Sequence, residues 1–271
     1  MPPNGDVGPG EPERDRYVGS IDLTEWRSRP GRKLADVVHV TSDRLGARPT
    51  LILILVIGIV LATFFAWLAS EVYEAVLSRT DVAVLDRPLL DAAMQLRTPG
   101  IDAAVTAFTN GAGTIGMPIV AVLFLVGFTL QRQTWTPLVL LVCASAGSLL
   151  MTIGGKQLIG RARPPLSDAV PPYEHSPSFP SGHTLNATVV LGTIAYLLVL
   201  RQSRVATRAT TIVVATVLVV AVGASRVFLG HHWFTDVLAA WVLGLAWLSV
   251  VITAHRLFLT VVNRRNAAAS G

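Results

Sequence analysis

Six long apolar runs, joined by short connections that hold most of the charge, leave this chain few ways to fold. They cover about residues 51–69, 113–130, 135–155, 183–200, 210–225 and 235–251, and the second can be drawn back to Asp102. A helix of ~20 apolar residues crosses a ~30 Å hydrocarbon core. Hydrophobic residues make up 52% of the 271 and charged residues 14%, with a mean hydropathy of +0.56. That excludes an ordinary soluble domain. The expected fold is all-α: a polytopic membrane protein built as a six-transmembrane-helix bundle with an outer interfacial helix. Gly111, Gly113, Gly116 and Pro118 make the start of the second run irregular or closely packed.

Residues 1–49 are rich in Pro, Gly, Arg and Asp and read as a mostly disordered tail with a short helix near 34–46. No early apolar segment with a small-residue cleavage site precedes the first run, so that run is expected to act as the targeting segment. Between residues 71 and 99, Asp86 and Asp91 alternate with Val82, Val84, Leu85, Leu89 and Leu90 at near-helical spacing, the pattern of an amphipathic helix lying in the interface. The expected domains are a tail over 1–49, a helical bundle over 50–256 and a short tail over 257–271.

The net charge of +5 does not point to nucleic acid, because the basic residues sit in the tail and in the short connections, where they set orientation. Arg32, Lys33, Arg44, Arg48, Arg132, Arg201, Arg204, Arg208, Arg256, Arg264 and Arg265 fall on one side of the runs and favour an inside N-terminus. Both termini are then cytoplasmic. The lone Cys143 lies in an apolar run, so neither an intrachain disulfide nor a Cys-based metal site is expected.

Three polar clusters interrupt the apolar sequence after residue 155. The first runs from Lys156 to Arg163 and Pro164. Its two cations are seven residues apart, so they share a face if the helix continues past the membrane until Pro164 and Pro165 stop it. Two such cations can hold a phosphate, or they can merely snorkel at a helix end. The second cluster is Pro180, Ser181, Gly182 and His183, a helix start in which Ser can cap, Gly admits a ligand close to the backbone and His183 is placed to give a proton. A plain capped helix start is the simpler reading of it alone. The third is Ser225 and Arg226, then His232 and Asp236 at i and i+4 on one helical face. A carboxylate on one imidazole nitrogen leaves the other free to attack.

If the intervening runs cross the membrane, all three clusters return to the same, extracytoplasmic side. His231 falls on another face than His232 and is set aside. Asp168, Tyr173, Glu174 and His175 lie in the long outer connection, where solvated loop is the simpler reading and contact with a lipid headgroup the other; Trp233 and Phe234 read as interfacial anchors rather than substrate contacts. None of the clusters has metal-ligand spacing, and the surrounding cations oppose a metal.

Together the clusters resemble the three-part signature of the type 2 phosphatidic acid phosphatase superfamily: Lys156 to Arg163-Pro164, then Pro180 to His183, then Ser225-Arg226 to His232 and Asp236. The likeness covers about residues 50–255. It implies a six-helix bundle, no cofactor, and roles for each residue. His232 attacks phosphorus to form a phosphohistidine, Asp236 orients it, and His183 protonates the leaving oxygen. Lys156, Arg163, Arg226, Ser181 and the Gly182 amide hold the phosphoryl oxygens. The implied substrate is a membrane lipid phosphate: phosphatidic acid, phosphatidylglycerol phosphate or a polyprenyl pyrophosphate. A lipid-phosphate transporter explains the cations but not the paired His232 and Asp236. A vanadium-dependent haloperoxidase shares the signature but is typically soluble. The oligomeric state is not legible.

Overall fold

The computed structural model describes residues 15–45, 81–113, 115–132 and 135–269, together with Phe64, Trp67 and Glu74. The first apolar run and the 71–80 part of the expected interfacial helix otherwise lie outside the described residues. After a short hairpin (β1, Tyr17–Val18; β2, Ile21–Asp22) the helices are α1 (Arg29–Leu45), α2 (Asp86–Gln95), α3 (Pro99–Gly111), α4 (Gly116–Arg132), α5 (Thr136–Ile159), α6 (Gly182–Arg201), α7 (Val205–Phe228) and α8 (Phe234–Ala269). Among the described residues four helices, α5 to α8, are long and apolar enough to cross a membrane, or five spans if α3 and α4 count as one. Those two are bent by 51° at a break that falls among Gly111, Gly113 and Gly116.

Helix α6 is the centre of the bundle. It packs against α5, α7 and α8, and 56% of its apolar stretch is buried, against 28% to 33% of theirs. Lipid is as apolar as leucine, so close van der Waals approach rather than the hydrophobic effect holds such helices together. Small residues permit it. A Cβ on Gly147 of α5 would lie 2.1 Å from the Trp247 ring of α8, and one on Gly244 of α8 would lie 2.7 Å from Thr188 of α6. Trp247 cannot swing clear without losing the bond from its Nε1 to the Ala144 carbonyl (3.2 Å). Gly147→Ala is therefore expected to cost about 1–3 kcal/mol through overpacking. A thermal midpoint in detergent within a degree of the parent would contradict it.

Two boundaries differ from expectation. Helix α8 runs on to Ala269 instead of ending near 251, because its continuation is covered: Leu257 and Leu259 are buried. What covers it is the N-terminal segment, expected as a mostly disordered tail. Within residues 15–45 the helix expected near 34–46 is present as the longer, 17-residue α1, which docks on α8, and the hairpin precedes it. Sparse anchors suffice. Arg16 pairs with Asp22, Leu23 enters the core, Trp26 donates to Thr260, and Arg256 lies 4.4 Å over the Trp26 ring. This end of the bundle is opposite the three polar clusters, which lie where α5 and α7 finish and α6 and α8 begin.

Candidate active site

Four helix ends and one loop build the site. Helix α5 stops at Gly160, which adopts the left-handed conformation (φ 60°). The stop comes earlier than the prolines would impose, so Arg163 is not on a helical face with Lys156. The two cations converge through the following loop instead. Lys156 Nζ donates to Ser176 Oγ (3.0 Å) and to the Pro177 carbonyl; Arg163 donates to the Ser176 carbonyl (2.6 Å) and Ser176 Oγ (3.1 Å). Phe179, fully buried beside Leu185, Ala239, Ala240 and Leu243, pins that loop to α6 and α8.

Helix α8 begins at Phe234, so His232 precedes it and does not share a helical face with Asp236. A backbone cap brings them together. The Trp233 N–H donates to Asp236 Oδ2 (3.0 Å), the third-position half of a capping box, and this folds the carboxylate back to 3.6 Å from His232 Nδ1. Ser178 Oγ stands beside both: it donates to Asp236 Oδ2 (2.5 Å) and lies 3.4 Å from His232 Nδ1. Arg163 Nη1 is 3.2 Å from His232 Nε2. A guanidinium can only donate, so Nε2 carries the lone pair and the ring proton sits on Nδ1, toward Ser178 and Asp236.

Arg226, at the end of α7, is 1% exposed. It donates to Thr109 Oγ1 of α3 (3.2 Å) and to Glu174. Its Nε meets no acceptor among the described residues. Glu174, read from sequence as solvated loop, in fact spans the cations: it pairs with Arg226, lies 2.8 Å from Arg163 Nη2, and its Oε2 is 4.0 Å from His232 Nε2. The cation density explains the error, since a carboxylate this close to two guanidinium groups is held rather than solvated. Burial raises its pKa, but Arg226, His232, Arg163 and His183 together outweigh burial and hold the carboxyl down to about 2.

The second cluster lands here as well. His183, in the first turn of α6, shares the electrostatic field of Arg226, Glu174, His232 and His231. It sits under the α3–α4 break, where a Cβ on Gly113 would be 3.1 Å from its Nε2. Gly182 opens the helix, and the first N–H groups of a helix have no partner within it. Ser181 departs from expectation: its hydroxyl pairs with Thr184 Oγ1 (2.9 Å) and makes no cap. His231, set aside on helical geometry, precedes the helix too; it is buried, its ring nitrogen is 2.7 Å from the Val170 carbonyl, and its own carbonyl accepts from Arg163.

Burial, opposed by Asp236 and reinforced by Arg163, pushes the His232 imidazole down to about 4, so it is neutral at pH 7. An unfolded chain binds that proton from about pH 6.5. Stability is therefore lost as the pH falls from 6.5 toward 4, because only the unfolded chain is then protonated. His231, lowered by burial, acts in the same sense. The thermal midpoint is expected to drop between pH 7 and pH 5, and to drop less in His232→Gln. Parallel decline in both proteins would remove His232 as a cause.

A profile of the PAP2 superfamily matches residues 119–259, just over half of the chain and all three clusters. The chain belongs to the PAP2 superfamily. It is 34% identical to phosphatidylglycerophosphatase B of Bacillus subtilis (strain 168) over 184 residues, 67% of this chain and 86% of that protein. A crystal structure of a transmembrane PAP2 type phosphatidylglycerolphosphate phosphatase from Bacillus subtilis matches it at a TM-score of 0.60 and 32% identity, covering 72% of this chain and 93% of that one. This PAP2 chain is a phosphatase, a phosphoric monoester hydrolase, and a multi-pass membrane protein.

Proposed function

We propose that this PAP2 phosphatase removes a phosphate from a phosphomonoester or diphosphate of a membrane lipid, without a metal ion and through a phosphohistidine at His232. One observation supports the reading above the others. The Glu174 carboxylate lies between Arg163 and Arg226 with an oxygen 4.0 Å from His232 Nε2, the seat a phosphoryl group needs for in-line attack.

When substrate takes that seat, Glu174 leaves it. Nε2 forms a bond to phosphorus as the phosphorus–oxygen bond to the lipid breaks. His183 gives its proton to the departing oxygen. A water then attacks phosphorus, its proton goes to His183, and the nitrogen–phosphorus bond breaks to release inorganic phosphate. Asp236, with Ser178, holds the Nδ1 proton and stabilises the charge that the imidazole gains. Lys156, Arg163, Arg226 and the Gly182 amide hold the phosphoryl oxygens. Phosphoryl transfer asks mainly for such positioning and charge. Ser181 serves through its backbone, whose N–H donates to the Asp236 carbonyl (3.3 Å).

The apolar run at 51–69 supplies the sixth span in this reading, α2 lies in the interface, both termini are cytoplasmic, and the site faces the periplasm or cell exterior. The relatives' names favour phosphatidylglycerol phosphate over phosphatidic acid and a polyprenyl pyrophosphate. The test is phosphate release from these three lipids in excess chelator. Turnover of none, or of any only with added divalent metal, would defeat the proposal. Transport of a lipid phosphate without hydrolysis would favour a carrier instead.

A further inference from the structure

A second polar network lies behind the candidate nucleophile, and neither Asp86 nor Arg161 at its centre belongs to the three-part signature. Asp86 begins α2, where it and Leu90 are the buried residues, and it is only 7% exposed. Its Oδ1 accepts from the Thr235 N–H (2.8 Å) and Thr235 Oγ1 (3.0 Å); its Oδ2 accepts from Arg161 Nη2 (2.7 Å). The other arm of the same guanidinium, Nη1, donates to Asp236 Oδ1 (2.5 Å) and Thr235 Oγ1 (2.8 Å). Arg161 also lies 5.9 Å over the Trp233 ring. One cation thus stands between two carboxylates, and the inner one is the partner of His232.

Two consequences follow from that arrangement. Asp236 has its Oδ1 fixed by Arg161, so its Oδ2 is left to Ser178, Trp233 and His232. The charge of Arg161 is also shared. A guanidinium facing Asp236 alone would draw the carboxylate toward itself and weaken its hold on the Nδ1 proton. With Asp86 on its outer arm, Arg161 fixes the orientation of Asp236 while Asp236 keeps its negative charge for the imidazole.

We infer that Asp86 is a positioning residue for the Asp236–His232 pair, acting through Arg161. The inference rests on His232 being the nucleophile. It assigns to α2, a peripheral helix, a part in turnover that the signature motifs do not show.

The test must separate this role from plain helix capping, and Asp86→Asn does so. Asn keeps an acceptor for the Thr235 N–H but loses the charge. With the lipid phosphate that the parent enzyme turns over, kcat is expected to fall 10- to 100-fold, the scale of a small misplacement of reacting groups. KM should change less than threefold, because the cations of the phosphate seat are untouched, and the thermal midpoint should stay near the parent's. Arg161→Gln should lower kcat at least as far, and the Asp86→Asn, Arg161→Gln pair should be no slower than Arg161→Gln alone. Multiplying losses in the double variant would overturn the inference, as would an Asp86→Asn enzyme with parental kcat. His232→Ala is assayed beside them. If it stays active the nucleophile assignment fails; if it is dead while Asp86→Asn is fully active, the positioning role alone fails.

Discussion

His232→Ala is expected to lower phosphate release by roughly 10⁴-fold, because it removes the nitrogen that the proposed mechanism sends to phosphorus. Nε2 faces Arg163 and the Glu174 carboxylate, and its ring proton is fixed on the far side by Ser178 and Asp236. The protein should still fold, since removing a buried neutral imidazole leaves no unpaired charge. Acid-quenched enzyme mixed with labelled lipid phosphate should carry label in the parent and none in the variant. Turnover within tenfold of the parent, in protein whose purity excludes contaminating phosphatase, would mean that a different atom attacks.

Arg226→Ala is the second large effect, about 10²- to 10³-fold in kcat/KM, the cost of losing one preorganised donor at a site of developing charge. Arg226 is almost wholly buried and is held by both Thr109 and Glu174. Arg226→Lys keeps the charge but not the fork, and should recover only part of the loss. Glu174→Gln should act in the opposite direction on anion binding. It removes the carboxylate that competes for Arg163 and Arg226, so vanadate or inorganic phosphate is expected to inhibit about tenfold more tightly. An unchanged inhibition constant would show that Glu174 does not occupy the seat. A weaker one would show that it helps to hold the anion.

Much of the site was legible because its parts lie at helix ends. Lys156, His183, Arg226 and Asp236 each sit within a turn or two of the point where an apolar run starts or stops, and that point can be read from hydropathy. Runs that cross a bilayer return every second end to one side, which brings these residues to one level and leaves their convergence to the packing. The α3–α4 break was legible for a similar local reason, a cluster of glycines. The loop between Gly160 and Ser181 was not legible. Its course is set by contacts such as Val170 N–H to the Leu229 carbonyl (2.9 Å) and Ser178 N–H to the Arg161 carbonyl (2.8 Å), which no periodicity encodes. Glu174 was misjudged for that reason, and so was the helical placement of Arg163.

The N-terminal segment shows the other limit. Low apolar content argued for disorder, but a few residues with good partners on α8 hold residues 15–45 in place. A composition argument counts what a segment can bury alone and misses a surface prepared elsewhere in the chain.

Sequence alone determined that the chain is a helical membrane protein whose three polar clusters gather at one end, because span length and charge placement are properties of consecutive residues. Tertiary structure alone decided which nitrogen of His232 faces Arg163, that Glu174 bridges Arg163 and Arg226, and that Asp86 reaches Asp236 through Arg161. Those are matters of ångströms between groups up to 149 positions apart, and only the packed bundle sets them.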